Sequence, residues 1–191
     1  GFQAEFENSD QIGAHLSDNY ELLHSPFSPG LGLAIPVGGY SFNDFGLTYA
    51  LGPQRPVTGT VGLTTGGYFN GDITSVNLSR GRIDVTSVLS VEPSVSFNWI
   101  DLPNGSFRTD LARTRVNYTF SPRMFISGLL QFNSTNNTLA TNVRLRWEYS
   151  PGSELFLVYT EEQDTDPLRP NRYAELRNRG FVIKFNRLFR F

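Results

Sequence analysis

The chain ends in a segment whose phenylalanines all fall on odd-numbered positions. Residues 178–191 read NRGFVIKFNRLFRF, and the apolar series is Phe181, Ile183, Phe185, Phe189 and Phe191. A period of two places successive side chains on opposite faces of a β-strand. This ending therefore predicts a strand with one apolar face and one polar face, and Lys184 lies on the polar face.

Two internal segments repeat the pattern and place arginines on the second face. The expected apolar faces are Val143, Leu145, Trp147 and Tyr149 in residues 139–149, and Thr114, Val116, Tyr118 and Phe120 in residues 107–120. The expected polar faces are Arg144, Arg146 and Glu148 in the first segment, and Arg113, Arg115 and Asn117 in the second. These strands are therefore amphipathic in the same sense as the ending.

Runs rich in Val, Ile, Thr, Phe and Tyr alternate with clusters of turn-forming residues along the chain. This composition predicts about eleven strands. Short turns alternate with longer connections, of which residues 24–39 and 161–178 are the longest; a short turn is expected at 92–94 and a bulge near Gly81. The prediction is an all-β, antiparallel, up-and-down fold of about 10–12 strands, forming a single domain over residues 1–191.

Composition excludes some function classes and leaves others open. The net charge of -2 gives no basic excess with which to bind nucleic acid. The chain has no cysteine, so it has no disulfide framework, thiolate metal site or thiol nucleophile. No apolar stretch is long enough for a membrane-spanning helix, but a membrane strand needs only about 9–11 residues and faces lipid with alternate ones. The mean hydropathy of -0.27 is therefore compatible with a membrane protein.

Two architectures share this alternation but differ in what the apolar face contacts. A soluble β-sandwich turns its apolar faces inward, whereas a transmembrane β-barrel turns them toward lipid. Aromatic residues cluster near predicted strand ends, as in an interfacial girdle, and the girdle candidates include Tyr118, Phe120, Trp147 and Tyr149. The unequal connections and the final phenylalanine also favour the barrel. In that reading Phe181, Ile183, Phe185, Phe189 and Phe191 face lipid, and Arg113, Arg115, Arg144, Arg146, Glu148 and Lys184 face the lumen.

The order of these segments resembles one bacterial family. The matching stretches include IPVGGYSF, LGPQRPVTGTV, SVEPSVSFNWIDLPNGSF, NVRLRWEYSPGSELFLVYTEEQDT and FVIKFNRLFRF. They look like the C-terminal barrel of proteins that join a family-nine carbohydrate-binding module to a domain of unknown function, DUF5916. The resemblance implies an outer-membrane barrel of a Gram-negative bacterium, and the ending resembles the signal that outer-membrane assembly machinery reads. The family is sometimes labelled a hydrolase, but no catalytic motif of that activity matches any position here.

The resemblance also predicts that the chain is a C-terminal portion of a longer barrel. The family's N-terminal module and the first part of the barrel have no counterpart, and residues 1–10 begin as if inside a strand. Bacterial single-chain barrels have an even number of strands, whereas about eleven are expected here. If the C-terminus is periplasmic, the short turns fall in the periplasm and the long connections fall outside the cell.

The expected function is an integral outer-membrane pore, transport component, anchor or scaffold. The expected partners are outer-membrane lipid, lipopolysaccharide, the assembly machinery and other chains that complete or surround the barrel. The alternatives are a soluble sandwich that binds carbohydrate or protein and, last, an outer-membrane hydrolase. A lumen ring of Arg113, Arg115, Arg144, Arg146 and Lys184 could select anions or could be a structural charge network.

Two further groups of residues carry side chains that can act in catalysis or metal binding. His15 and His24 are the only histidines, and without cysteine or metal-ligand spacing neither is predicted to be catalytic. The loop carboxylates Glu161, Glu162, Asp164 and Asp166 are a weak candidate for calcium, since they lack the spacing and glycine of an EF-hand. Otherwise no cofactor is expected.

Overall fold

The computed structural model describes residues 1–30, 32–166 and 175–189, except for the side chain of Glu175. Every regular element in these ranges is a β-strand, and the strands pair antiparallel. The predicted all-β, antiparallel fold is therefore confirmed. The described residues contain no helix long and apolar enough to cross a membrane.

Connections of two to five residues join consecutive strands up to β12, and residues 165–174 separate β12 from β13. Their bounds are β1 Phe2–Glu5, β2 Gln11–Leu23, β3 Phe27–Gly30, β4 Leu33–Ile35, β5 Gly38–Leu51, β6 Val57–Tyr68, β7 Gly71–Asp84, β8 Leu89–Leu102, β9 Gly105–Ser121, β10 Met124–Asn133, β11 Thr138–Ser150, β12 Ser153–Asp164 and β13 Glu175–Asn186. One 11-stranded sheet runs in chain order through β1, β2 and β5 to β13, while β3 and β4 pair separately. Within the described ranges no pairing that closes this sheet into a barrel is found.

The turn between β7 and β8 differs from the sequence prediction. The chain reverses between Asp84 and Leu89, and Pro93 lies inside β8 rather than in a turn. The cause is local: the Thr86 hydroxyl accepts hydrogen bonds from the backbone N–H groups of Val88 and Leu89, at 3.3 and 3.1 Å. A threonine hydroxyl that satisfies two backbone donors stabilises a turn without glycine or proline.

The chain divides into two compact units, and the division runs across β7, β8 and β9. The first unit contains residues Gly1–Gly81 and Ser94–Leu111, and the second contains Arg82–Pro93 and Ala112–Phe191. The assignment of residues 1–191 to a single barrel domain stays a prediction.

In the first unit, the predicted loop 24–39 contains the β3–β4 hairpin. A side chain built on Gly30 would lie 3.3 Å from the ring of Phe107, and one built on Gly105 would lie 3.3 Å from Leu33. The hairpin therefore packs against the start of β9. Among the described residues, the buried apolar side chains are Ile35, Ile100 and Phe107, all in this unit.

Candidate functional site

The apolar face of the second unit is a set of three rows that cross β10 to β13. The register gives the rows Met124–Trp147–Leu155–Phe185, Ile126–Leu145–Leu157–Ile183 and Gly128–Val143–Tyr159–Phe181. Paired residues share a face of a sheet. Phe181 and Phe185 are each 62% exposed and Ile183 is 60% exposed, so no part of the described chain covers the β13 end of these rows.

The first unit carries an equivalent apolar face on β2, β5 and β6. Its rows are Ile12–Tyr49–Val61, Ala14–Leu47–Leu63 and Leu16–Phe45–Thr65. Every large apolar residue in these rows has more than a third of its surface exposed. Burying one such side chain is worth about 1.5–3 kcal/mol. Open apolar side chains that continue in rows across neighbouring strands are the kind of surface that a partner or a nonaqueous environment covers.

The four girdle candidates lie on the apolar side at one end of their strands. Tyr118 and Phe120 precede the turn after β9, and Trp147 and Tyr149 precede the turn after β11. The Tyr149 ring stacks on Phe185 with centroids 5.3 Å apart, and its hydroxyl donates to the backbone oxygen of Asn186 at 3.0 Å. Tyr118 and Phe120 make an edge contact at 4.7 Å. An apolar ring with a polar tip suits a membrane–water interface.

The opposite, polar face of the second unit holds the predicted cations of β11 and β13. Arg146, Phe156 and Lys184 form one cross-strand row, and Arg144 lies in the next. Arg146 donates to Glu154 through Nε at 2.9 Å. Its guanidinium also lies 5.9 and 6.0 Å from the ring centroids of Phe125 and Phe156. This arginine is fixed by a charge pair and by aromatic contacts.

A second polar group on this face joins β8, β9 and β10. Arg115 is 3.8 Å from Glu92, and Asn117 donates to the same carboxylate at 3.2 Å. Ser127 donates to the amide oxygen of Asn117 at 2.8 Å, which places Ser127 and Asn117 on one face. The predicted cations Arg113, Arg144 and Lys184 have no ion-pair partner within the described ranges. Glu148 instead accepts the Gly152 N–H at 2.9 Å and holds the β11–β12 turn.

Phe189 and Phe191 complete the predicted C-terminal series. Phe189 follows β13, is exposed, and lies under the Arg187 guanidinium at 4.9 Å. Phe191 lies outside the described residues. The adjacent Leu188 N–H donates to Ser153 at 3.0 Å, which attaches this end to the β11–β12 turn.

Asp10 is a polar centre that sequence reasoning missed. Its side chain has no exposed surface and accepts hydrogen bonds from the Tyr49 hydroxyl, the Gly52 N–H and Arg55, each at 2.7 Å. Asn8 donates to it at 3.0 Å. The Tyr49 and Gly52 hydrogen bonds, helped by Arg55 and Asn8, hold the pKa of the Asp10 carboxyl below its ordinary value despite burial. Asp10 thereby joins the β1–β2 turn to the β5–β6 turn.

The calcium candidates do not converge on one point in the described chain. Glu161 lies on the apolar side, where it accepts hydrogen bonds from Tyr159, Gln163 and Arg179, whereas Glu162 lies on the polar face. Asp164 is buried and pairs with Arg177 at 2.8 Å, and it accepts the Asp166 N–H at 2.9 Å. The described residues contain no group of three or more potential ligands, and calcium stays a prediction.

The two histidines belong to the first unit. His15 lies 3.8 Å from Asp44 on β5, and Asp44 is held by an Asn19 hydrogen bond at 2.7 Å. His24 lies just beyond the end of β2 and is exposed. No catalytic arrangement of the two histidines is formed.

Comparison with known proteins gives no relative: no protein-family model, curated protein or solved structure matches the chain. The resemblance to the DUF5916 barrel stays a prediction.

Proposed function

We propose that this chain is an integral β-barrel component of a bacterial outer membrane, or the C-terminal portion of one. It serves as a pore, a transport component or an anchoring scaffold. Lipid and lipopolysaccharide cover the two apolar faces, and the polar face borders water. The C-terminal strand is the element that the assembly machinery reads, and other chains complete or surround the sheet.

The observation that carries this proposal is that the apolar rows end on β13 in three open side chains, Phe181, Ile183 and Phe185. The rows continue in register over four strands, so they form a surface and not isolated exposed residues. In hydrocarbon the exposure of such a surface costs nothing, whereas in water it promotes aggregation. The girdle residues at the strand ends agree with an interface there.

The exposure of these β13 side chains supports a soluble sandwich less well than a membrane protein. That fold would bury the apolar side of β13 against a second sheet, yet Phe181, Ile183 and Phe185 are open. No observation in the described chain favours a hydrolase, because no nucleophile, base and oxyanion donor come together.

Adjacent residues Val182 and Ile183 provide a matched test. Both are 60% exposed and lie mid-strand in β13, but Ile183 belongs to the apolar rows and Val182 pairs with Val158 on the polar face. We expect Ile183→Arg to destabilise the protein folded in lipid vesicles by about 2–4 kcal/mol, the cost of arginine near a bilayer midplane. Val182→Arg is expected to cost far less, because its side chain reaches water.

The measurement is folding into vesicles, followed by flotation and by heat-modifiable migration on a detergent gel. If the protein is soluble, a different result is expected: wild type and both variants stay in the aqueous fraction, and the two arginine substitutions lower stability by the same amount. That outcome would exclude the membrane proposal.

A further inference from the structure

The polar face of the second unit contains a pocket at one end of β10 to β13. Its volume is about 170 Å³, and on this face it is lined by Gln131, Ala140, Asn142, Thr160, Glu162 and Asn178. We refer to these six residues as the amide pocket, because three of them are carboxamides.

The register explains why a cavity forms at this position. One cross-strand row is Gln131–Ala140–Glu162–Asn178, and the next is Leu129–Asn142–Thr160–Gly180. Ala140 separates Gln131 from Glu162, which lie two strands apart and therefore about 10 Å from each other. Gly180 likewise has no side chain to fill the space beside Thr160; a Cβ there would lie 2.9 Å from the threonine hydroxyl. The small residues thus form a floor between longer polar walls.

The polar walls have unused hydrogen-bonding capacity. The side chains of Gln131, Asn142 and Asn178 make no hydrogen bond to any other group in the described part of the chain. Each carboxamide offers two N–H donors and a carbonyl acceptor. Three such groups around one cavity can therefore donate to and accept from the same ligand, which matches hydroxyl groups, since these also do both.

The charge of the pocket favours a neutral ligand. Glu162 is the one carboxylate side chain on this face of the pocket, and Arg177 lies 3.8 Å from it. Arg177 is the extra residue of a β-bulge between β12 and β13, and it is anchored by Asp164 and by the backbone oxygen of Asn136. A calcium ion requires more carboxylate charge than one partly compensated Glu supplies. An anion would be repelled by Glu162.

From this geometry we infer that the amide pocket binds one sugar ring of a neutral saccharide. Gln131, Asn142 and Asn178 hydrogen-bond ring hydroxyls, Glu162 accepts from one of them, and Ala140 leaves room for the ring. The site depends on the register of β10 to β13 and does not require the membrane proposal to hold.

Saturation-transfer NMR with maltotriose tests this inference on the full chain. The chain is folded in an amine-oxide detergent, because sugar-headed detergents would compete. We expect saturation transfer to maltotriose, its loss in Ala140→Leu, where the added side chain fills the cavity, and its retention in Ala140→Ser. The double variant Asn142→Ala/Asn178→Ala should weaken binding roughly tenfold or more, as two lost hydrogen bonds predict.

Asn186→Ala is the matched control, since Asn186 is a carboxamide of the same face outside the pocket, and it should bind as wild type does. Absence of transfer in wild type, or equal transfer in wild type and the double variant, would overturn the inference. Calcium binding that is lost in Glu162→Gln, without saccharide binding, would also overturn it. Flotation of the same variants folded into lipid vesicles reports on the membrane proposal separately.

Discussion

At the scale of single residues, Asp10 joins two turns of the first unit by accepting hydrogen bonds from Tyr49, Gly52 and Arg55. The sequence does not predict that Tyr49, Gly52 and Arg55 meet it, because those partners lie 39–45 residues further along the chain. The burial of its carboxylate between the turn before β2 and the turn after β5 depends on the register of those two strands.

Asp10→Asn tests this junction. The substitution removes the charge that accepts from Arg55 and weakens the Gly52 contact, so faster hydrogen exchange at the Gly52 amide and a lower midpoint of unfolding are expected. The folded-state pKa of Asp10 is lowered. Its contribution is therefore full above the unfolded-state pKa of about 3.9 and is lost as the pH falls through the lower folded-state value.

The pH dependence of hydrogen exchange at the Gly52 amide shows whether the charge of Asp10, and not only its shape, holds the two turns together. In wild type, Gly52 exchange corrected for its intrinsic rate should accelerate only in acid, whereas in Asp10→Asn this step should be missing. Asp18→Asn, in the neighbouring strand β2, serves as the control and should keep the step. An unchanged acid step in Asp10→Asn would show that another group holds the turns together.

At the scale of elements, alternation predicted most strands and their faces, but it could not supply the contacts between them. Arg144, Arg146 and Lys184 share a face as the period of two requires. The amide pocket was not foreseen, because it depends on how four strands align and because Gln131 and Asn178 carry no local signal. The turn expected near Pro93 failed because Thr86 provides the turn chemistry elsewhere.

Two glycines in different strands test how closely neighbouring strands approach. A Cβ on Gly66 in β6 would lie 2.3 Å from the Asn43 backbone oxygen and 2.6 Å from the Asp44 Cα, whereas one on Gly128 in β10 meets nothing within 4 Å. We expect Gly66→Ala to cost about 1–3 kcal/mol, because backbone atoms must move. Gly128→Ala should stay within about 0.5 kcal/mol of wild type in the same denaturant titration. Equal effects would indicate that β5 and β6 are not paired in this register.

At the scale of the whole molecule, the central claim is that hydrocarbon covers the apolar rows. The chain has two tryptophans, and Trp147 lies in the row that also holds Phe185. In the variant Trp99→Phe, Trp147 is the only tryptophan, so all tryptophan fluorescence comes from it. Its ring lies at the end of the apolar face, where lipid headgroups are expected to begin.

The most direct measurement is Trp147 fluorescence in vesicles whose lipids carry bromine near the headgroup end of the acyl chains. We predict that the brominated lipid quenches most of this emission while aqueous iodide quenches little of it. Emission that is insensitive to brominated lipid and fully accessible to iodide would contradict the account.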